Sequence, residues 1–262
     1  MPNFLSKRFG TRPKSKICCL HFGRCGSTLL GNMLASHPNL SWAGELFHEH
    51  HERTDRNQSL NPYQLLQEQT AKCEKRCFGF ETKFQHLDSN GLAVELSIYL
   101  RRLTSLGFNK YILLKRNNYL RQALSVAKGQ LSGRWHAQSL TEVQTLEPFF
   151  FDVSSVSLGG ANRTLLKCFE FLDSTYENSF DTFVDLGLNF IEVNYEHHLE
   201  VSPTAGFKRV IDFLELVYSR PTISTRRLDS RSVREMITNF DDVQHCLKGS
   251  KYEWMCSSET NA

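Results

Sequence analysis

Residues 17–34 read ICCLHFGRCGSTLLGNML and predict a strand, a turn and a helix in succession. Residues 17–22 are a nearly continuous apolar run with a β-branched and an aromatic end, which favours a strand buried on both faces. Residues 23–26 contain two glycines and predict a tight turn. Ser27 and Thr28 are the predicted N-caps of the helix, and Pro38 prevents the helix from continuing. The apolar residues of the helix recur at helical spacing: Leu29, Leu30, Met33 and Leu34.

A strand, a glycine-containing turn and a helix N-terminus together favour an anion site. Backbone N–H groups converge at such a turn, and the helix dipole attracts negative charge. Arg24 adds a fixed cation with several donors, and Ser27 and Thr28 add hydroxyl groups. An ordinary strand-to-helix turn with a surface arginine is the alternative at this point.

The turn differs from the phosphate loop of nucleoside triphosphatases, because G-x-x-x-x-G-K-[ST] is absent and Arg24 precedes Gly26. Its R-x-G-S-T form resembles the 5′-phosphosulfate loop of sulfotransferases, above all the bacterial trehalose-type and carbohydrate sulfotransferases. Those enzymes use 3′-phosphoadenosine 5′-phosphosulfate (PAPS). The resemblance implies that the reacting end of PAPS is bound by Arg24, Cys25, Gly26, Ser27 and Thr28.

Length and composition predict one large domain. The chain has 262 residues, of which 40% are hydrophobic, and this is enough for a substantial core. We expect a flexible N-terminal arm over residues 1–16 and a single domain over residues 17–262. The net charge of +3 is too small to indicate nucleic-acid binding, and it suits a local basic pocket for a polyanionic cofactor. No apolar run approaches the ~20 residues that span a membrane.

Cysteine usage predicts a reducing compartment. The basic N-terminus has no apolar signal-peptide core, so the eight cysteines are expected to be free thiols and the protein cytoplasmic. Cys73 and Cys77 have no second pair at zinc-finger spacing, and we expect no metal there.

The polar segment after Pro38 is expected to be an exposed loop over the mouth of the first strand. It contains Glu45 within G-E-L-F. In trehalose-type sulfotransferases a glutamate in a similar segment faces the acceptor sugar as general base, and the resemblance gives this role to Glu45. A surface carboxylate paired with an arginine is the alternative. His48 is a reserve candidate for acceptor contact, and the histidines around it do not match H-E-x-x-H.

Residues 77–84, CFGFETKF, alternate enough for a strand, and a polar turn is expected after them. Sulfotransferases often carry a lysine near the transferred sulfonate on the corresponding strand, which implies this role for Lys83. This chain has Glu81 where many relatives have lysine in G-F-K. His86 is an alternative base, since cytosolic sulfotransferases use a histidine.

A second motif lies in residues 111–136, YILLKRNNYLRQALSVAKGQLSGRWH, which predict a buried strand and a helix. Arg116 follows the strand at its carboxyl end, where open α/β sheets bind ligands, and Ser125 lies nine residues further on the helix. Sulfotransferases bind the 3′-phosphate of PAPS with an arginine and a serine placed in this way. The form R-x-[ND]-x-x-x-Q-A-x-S resembles the trehalose-type group.

Two later positions are further candidates. Tyr195, in N-Y-E-H-H-L, resembles a family tyrosine that lies close to the nucleotide, and a core tyrosine satisfied by the backbone is the alternative. Lys248 and Lys251 flank Gly249 and are candidates to close over a phosphate.

The alternation of buried strands and helices predicts a three-layer α/β/α fold with a mostly parallel, P-loop-like central sheet. The resemblance implies sulfuryl transfer from PAPS to a hydroxyl of a carbohydrate or glycolipid acceptor, by in-line displacement and without a metal. The resemblance is also compatible with a homodimer. The alternatives are a P-loop kinase of a small metabolite, which needs a loop lysine and a Mg²⁺-binding carboxylate, and a non-catalytic nucleotide-binding protein of the same fold.

Overall fold

The computed structural model describes residues 13–47, 61–89, 92, 95–133, 147–223 and 231–257. Within them, five parallel strands form one sheet in the order β2-β3-β1-β4-β5. The strands are β1 (Ser15–His21), β2 (Leu40–Trp42), β3 (Cys77–Lys83), β4 (Lys110–Lys115) and β5 (Phe190–Asn194). The first strand in the sequence is therefore the middle strand of the sheet.

Helices follow the strands on both faces of the sheet. They are α1 (Ser27–Ala35), α2 (Pro62–Ala71), α3 (Phe84–Ser89), α4 (Leu96–Ser105), α5 (Tyr119–Ser132), α6 (Leu165–Asp185), α7 (Pro203–Phe213), α8 (Val233–Met236) and α9 (Phe240–Leu247). A π-helical turn occupies Tyr195–Glu200, and a 3₁₀ turn occupies Glu253–Cys256. None of the helices in the described ranges is long and apolar enough to cross a membrane.

The core has two halves because successive strand residues face opposite sides of the sheet. In β1, Cys18 and Leu20 pack into the half that α4, α5 and α6 cover, whereas Ile17 and Cys19 pack against α1 and α7. All four side chains are at most 1% exposed. The predicted three-layer α/β fold with a parallel sheet is confirmed.

The first strand and helix differ in detail from the prediction. Strand β1 begins at Ser15, two residues earlier than expected, and the arm that precedes residue 13 lies outside the described residues. Helix α1 begins at Ser27, and its N-cap is Gly26 in a left-handed conformation with no side-chain cap. Ser27 and Thr28 are therefore not N-caps, because the turn needs the positive φ of 86° at Gly26, which glycine adopts without steric cost.

Two segments expected to be irregular contain regular structure. The loop after Pro38 includes β2, where Leu40 is fully buried and aligns with Cys77 of β3. The polar turn expected after β3 is instead the short helix α3. A three-residue strand is too short for its periodicity to be recognised in the sequence.

The last described segment is attached to the helical layer through Asp173 of α6. Tyr119 and Tyr252 each donate a hydrogen bond of 2.7 Å to its carboxylate, and Lys251 forms an ion pair with it at 2.5 Å. Lys251, a candidate for phosphate contact, thus pairs with Asp173. All eight cysteines are free thiols, in agreement with the prediction.

Candidate active site

The carboxyl ends of β1, β3 and β4 meet at one edge of the sheet, where parallel α/β sheets place their ligands. The register aligns His21 of β1 with Lys83 of β3. The turn after β1, residues 22–26, lies above this edge, and Gly23, Arg24 and Gly26 have φ angles of 81°, 52° and 86°. A left-handed arginine is uncommon and costs about 1–2 kcal/mol, so the turn is held by its surroundings.

Three side chains hold the backbone of this turn. Gln122 of α5 donates its amide to the carbonyl of Gly23 at 2.5 Å, and Arg116 donates Nη1 to the carbonyl of Arg24 at 3.2 Å. The N–H of Gly23 donates to Nδ1 of His21 at 2.9 Å. Neither Gln122 nor His21 was predicted to have a role, although Gln122 lies within the R-x-[ND]-x-x-x-Q-A-x-S motif.

Arg24, Arg116, Ser125 and Tyr195 lie together beside the turn, and we call them the anchoring cluster. Arg24 donates Nε to Ser125 Oγ at 2.9 Å, and the Arg116 guanidinium lies 4.7 Å from the centre of the Tyr195 ring. Burial, and then the like charge of Arg116, lower the pKa of Arg24. Because the two guanidinium groups repel each other, an anion bound near both is electrostatically favoured.

Glu196 completes the surroundings of Arg116. Its carboxylate accepts from the backbone N–H groups of Asn117 and Asn118 at 2.8 and 3.0 Å, and it lies 3.5 Å from Nε of Arg116. That Nε is buried and makes no hydrogen bond to the described residues. The carboxylate of Glu196 is thus the charged partner of this buried Nε. The only sequence signal for Glu196 is its place directly after Tyr195.

Tyr195 lies directly on the turn. A Cβ atom added at Gly26 would come within 2.5 Å of the Tyr195 ring, so the ring packs where any other residue would carry its side chain. Tyr195 is partly exposed, packs against the half of the core beside α1 and α7, and lies against the guanidinium of Arg116.

On the other side of the turn lie Glu45, Lys83, His21 and Glu81, which we call the reacting cluster. Lys83 Nζ is 2.5 Å from Glu45 Oε2, and both side chains are partly exposed. Burial alone would raise the pKa of Glu45, but the ammonium of Lys83 outweighs it and lowers the pKa below the ordinary value. Glu45 is therefore ionised, with a lysine rather than an arginine as its partner.

The histidine candidates have different outcomes. His86 is buried on α3, and its Nδ1 accepts from the backbone N–H of Lys83 at 3.2 Å. His48 lies outside the described residues. His21, which had no predicted role, is fully buried, with Nε2 3.2 Å from Glu81 Oε2. The other oxygen of Glu81 accepts from the Trp42 indole at 2.8 Å.

His21, Glu45 and Glu81 place possible metal-binding atoms within 4.8 Å of one another. Their hydrogen bonds do not fit a metal site. Since His21 Nδ1 accepts from Gly23, the ring proton of the neutral histidine is on Nε2, which a metal would need as a lone pair. Lys83 already supplies the positive charge beside Glu45.

Comparison with known proteins shows a similarity of fold only. No protein-family model matches the sequence, and a search of curated proteins finds no match. The structure is similar to the crystal structure of a sulfotransferase from Alicyclobacillus acidocaldarius, with a TM-score of 0.53 and 13% identity over 90% of this chain and 91% of that one. The central parallel sheet and its helical layers are thus a sulfotransferase fold.

Two sulfotransferase domains are less similar. The domain of the Synechococcus PCC 7002 olefin synthase has a TM-score of 0.43 and 19% identity, over 79% of this chain and 75% of that chain. The domain of the curacin biosynthetic pathway has a TM-score of 0.44 and 17% identity, over 80% of this chain and 76% of that chain. At TM-scores below 0.5, neither likeness indicates a function.

Proposed function

We propose that the protein is a PAPS-dependent sulfotransferase that transfers a sulfuryl group to a hydroxyl of a carbohydrate or glycolipid. The observation that carries the proposal is the anchoring cluster: two neighbouring guanidinium groups and a serine hydroxyl beside a glycine-containing turn at a helix N-terminus. Such a site suits a ligand with anionic groups at two places, as PAPS has.

At the reacting end, Arg24, Ser27, Thr28 and the amides of residues 25–28 hold the 5′-phosphosulfate. The sulfur–oxygen bond to the phosphate breaks while a new sulfur–oxygen bond forms to the acceptor hydroxyl. Negative charge then grows on the phosphate of the leaving group. A fixed arginine and oriented N–H groups stabilise this charge without reorganising.

At the far end, Arg116 and Ser125 hold the 3′-phosphate, and the Tyr195 ring forms the wall beside Arg116. Arg24 links the two ends, because its Nε contacts Ser125 while its backbone carbonyl accepts from Arg116. A nucleotide without the 3′-phosphate would lose the Arg116 contact and would bind less tightly.

On the acceptor side, Glu45 takes the proton of the attacking hydroxyl, and the Lys83 ammonium keeps Glu45 ionised before the acceptor binds. Lys83 also brings positive charge to the carboxyl end of β3, close to where the sulfonate passes. His86 stays the alternative base.

The donor is tested by thermal unfolding with the desulfated product PAP, with ADP and with ATP, each without and with Mg²⁺. We expect PAP to stabilise the protein without Mg²⁺ by about 2.7 kcal/mol at ~100 times its dissociation constant, and ADP far less. Equal shifts with PAP and ADP would contradict the 3′-phosphate site. A shift with ATP that needs Mg²⁺ would favour the kinase alternative.

A further inference from the structure

Glu81 and His21 are buried ionisable residues that the proposed reaction does not use. Glu81 is 5% exposed and His21 0%. They lie on the neighbouring central strands β3 and β1, where Glu81 aligns with Cys19, two residues before His21. A buried carboxylate costs free energy unless its oxygens are hydrogen-bonded or paired, so this one needs an explanation.

The hydrogen bond from Gly23 determines which ring nitrogen of His21 carries the proton. Gly23 N–H donates to Nδ1 at 2.9 Å, so Nδ1 carries no hydrogen. In the neutral ring the hydrogen is then on Nε2, which lies 3.2 Å from Glu81 Oε2 in an ion-pair contact that does not meet the geometry of a hydrogen bond. Burial favours the neutral ring, but Cys25 and Glu81 outweigh burial and raise the pKa of His21 to about 10; the contact with Gly23 acts against this rise. A second proton would have to enter Nδ1, where the Gly23 N–H already points, and this contact favours the neutral ring.

Glu81 also contacts the segment that carries Glu45. Its second oxygen accepts from the Trp42 indole at 2.8 Å, and its backbone N–H donates to the carbonyl of Gly44 at 2.7 Å. The side chain packs against Gly31 of α1, where an added Cβ would collide with Oε1. Glu81 thus connects the segment before Glu45 to the histidine that holds the turn.

A carboxylate can make both side-chain contacts, and an amide of the same shape cannot. The Trp42 indole and the Nε2–H of His21 are both donors, so each needs an acceptor. A glutamine at this position has one acceptor and one donor group. In either orientation, its NH₂ group would face one of the two donors.

We propose that Glu81 is a positioning residue that fixes the turn and the base-bearing segment relative to each other: it holds His21 in the tautomer that binds Gly23, and it holds Trp42, three residues before Glu45. As far as turnover is concerned, the proposal rests on the proposed function. The histidine tautomer does not depend on it. Glu81 would then act through other residues, without touching substrate.

The first experiment measures imidazole ¹⁵N shifts of His21 and the indole N–H signal of Trp42 by NMR in the full chain. The wild-type protein should show the Nε2–H tautomer of His21. In Glu81→Gln, either the tautomer changes or the indole signal moves. An Nδ1–H tautomer in the wild type, or unchanged His21 and Trp42 signals in the variant, would overturn the proposal.

The second experiment adds Trp42→Phe and the double variant. Trp42→Phe removes one donor and should leave the His21 tautomer unchanged. In the double variant the glutamine carbonyl can turn to His21, so the wild-type tautomer and part of the lost kcat should return. A double variant that is worse than Glu81→Gln in both respects would show that Glu81 only fills space, and would overturn the proposal.

Turnover separates this proposal from the proposed function. With PAPS and a responsive sugar acceptor, we expect Glu81→Gln to lower kcat about ten- to hundred-fold, with partial recovery in the double variant. If wild-type protein transfers no sulfuryl group to any acceptor while the tautomers behave as stated, the proposed function fails and the positioning role stands. If Glu81→Gln turns over normally, the positioning role fails and the proposed function stands.

Discussion

The anchoring cluster and the reacting cluster lie on opposite sides of one turn and differ in how their charges are balanced. On the anchoring side, Arg24 and Arg116 are neighbouring like charges, and the carboxylate of Glu196 pairs with Arg116. On the reacting side, each carboxylate has a partner of its own: Glu45 pairs with Lys83, and Glu81 lies against His21.

The difference indicates a division of labour. The two neighbouring guanidinium groups of the anchoring side suit a polyanion, and binding there relieves the repulsion between the two arginines. The reacting side holds an ionised carboxylate and so suits removal of a proton from a neutral hydroxyl. Substitutions on the two sides should therefore affect different measurements.

The largest effect is expected from Glu45→Gln, which keeps the shape of the side chain but cannot accept a proton. Turnover should fall by on the order of 10²–10⁴, and PAP affinity should stay within a few-fold of the wild type. A turnover assay with a sugar acceptor and a binding titration with PAP measure the two quantities.

The matched control is Glu215→Gln, since Glu215 is an exposed glutamate that also pairs with a lysine, Lys110, but far from the turn. It should leave turnover unchanged. His86→Ala is assayed in parallel. Normal turnover of Glu45→Gln together with collapse of His86→Ala would move the base to His86 and break the division between the two sides.

On the anchoring side, Arg116→Ala should weaken PAP binding about ten- to hundred-fold, since a hydrogen bond to a charged group is worth about 1.5–3 kcal/mol. Turnover at saturating PAPS should change much less. Arg24→Ala should lower turnover as well, because Arg24 is proposed to stabilise the charge that grows on the leaving phosphate. The control is Arg234→Ala, an exposed arginine in a surface ion pair. An unchanged dissociation constant for PAP in Arg116→Ala would contradict the assignment.

The ion pair on the reacting side predicts a change in pH dependence. Lys83 lowers the pKa of Glu45, and burial opposes this effect. In Lys83→Met the larger of the lowering effects is lost and burial is opposed only by His21 and His86, so the pKa of Glu45 should rise and the acidic limb of the kcat/KM profile should move to higher pH. The shape of the profile is the readout, since its height also reports any contact of Lys83 with the sulfonate. An unmoved limb would mean that Glu45 does not control the rate.

The smallest effect concerns the turn itself. Gly26→Ala forces a left-handed alanine and brings its Cβ against Tyr195, and we expect a loss of about 2–3 kcal/mol in the free energy of unfolding. Gly187→Ala is the control, since Gly187 also has a positive φ, of 61°, but open space for a Cβ, and it should lose about 1–2 kcal/mol. Urea unfolding measures both, and equal losses would show that the Tyr195 contact is unimportant.

The sequence predicted those elements of the fold that depend on residues close together in the chain. The strand, turn and helix around Arg24 and the strand and helix around Arg116 are local patterns, and the structure confirms them as elements of the fold. The predicted roles of their residues stay predictions. The N-cap at Ser27 was wrong because the φ of Gly26, rather than a hydroxyl, sets the helix start.

Contacts between residues far apart in the sequence could not be predicted from local patterns. His21 looks like the end of an apolar run, and its position opposite Glu81 appears only when β1 and β3 pair. The hydrogen bond between Arg24 and Ser125 joins residues 101 positions apart, and the resemblance had paired Ser125 with Arg116 alone. Glu196 reaches Arg116 through the π-helical turn after β5, which no local pattern indicated.

The central position of β1 also constrains how the chain folds during synthesis. This strand pairs with β3 on one side and with β4 on the other, where Ile17 aligns with Lys110 of β4. When β1 leaves the ribosome, neither neighbouring strand has been made. Strand β1 is paired on both sides only after β4 has followed. Pairings of such long sequence separation form slowly, because loop closure comes before the contacts that stabilise it. An apolar strand that waits for its neighbours is a natural binding segment for chaperones.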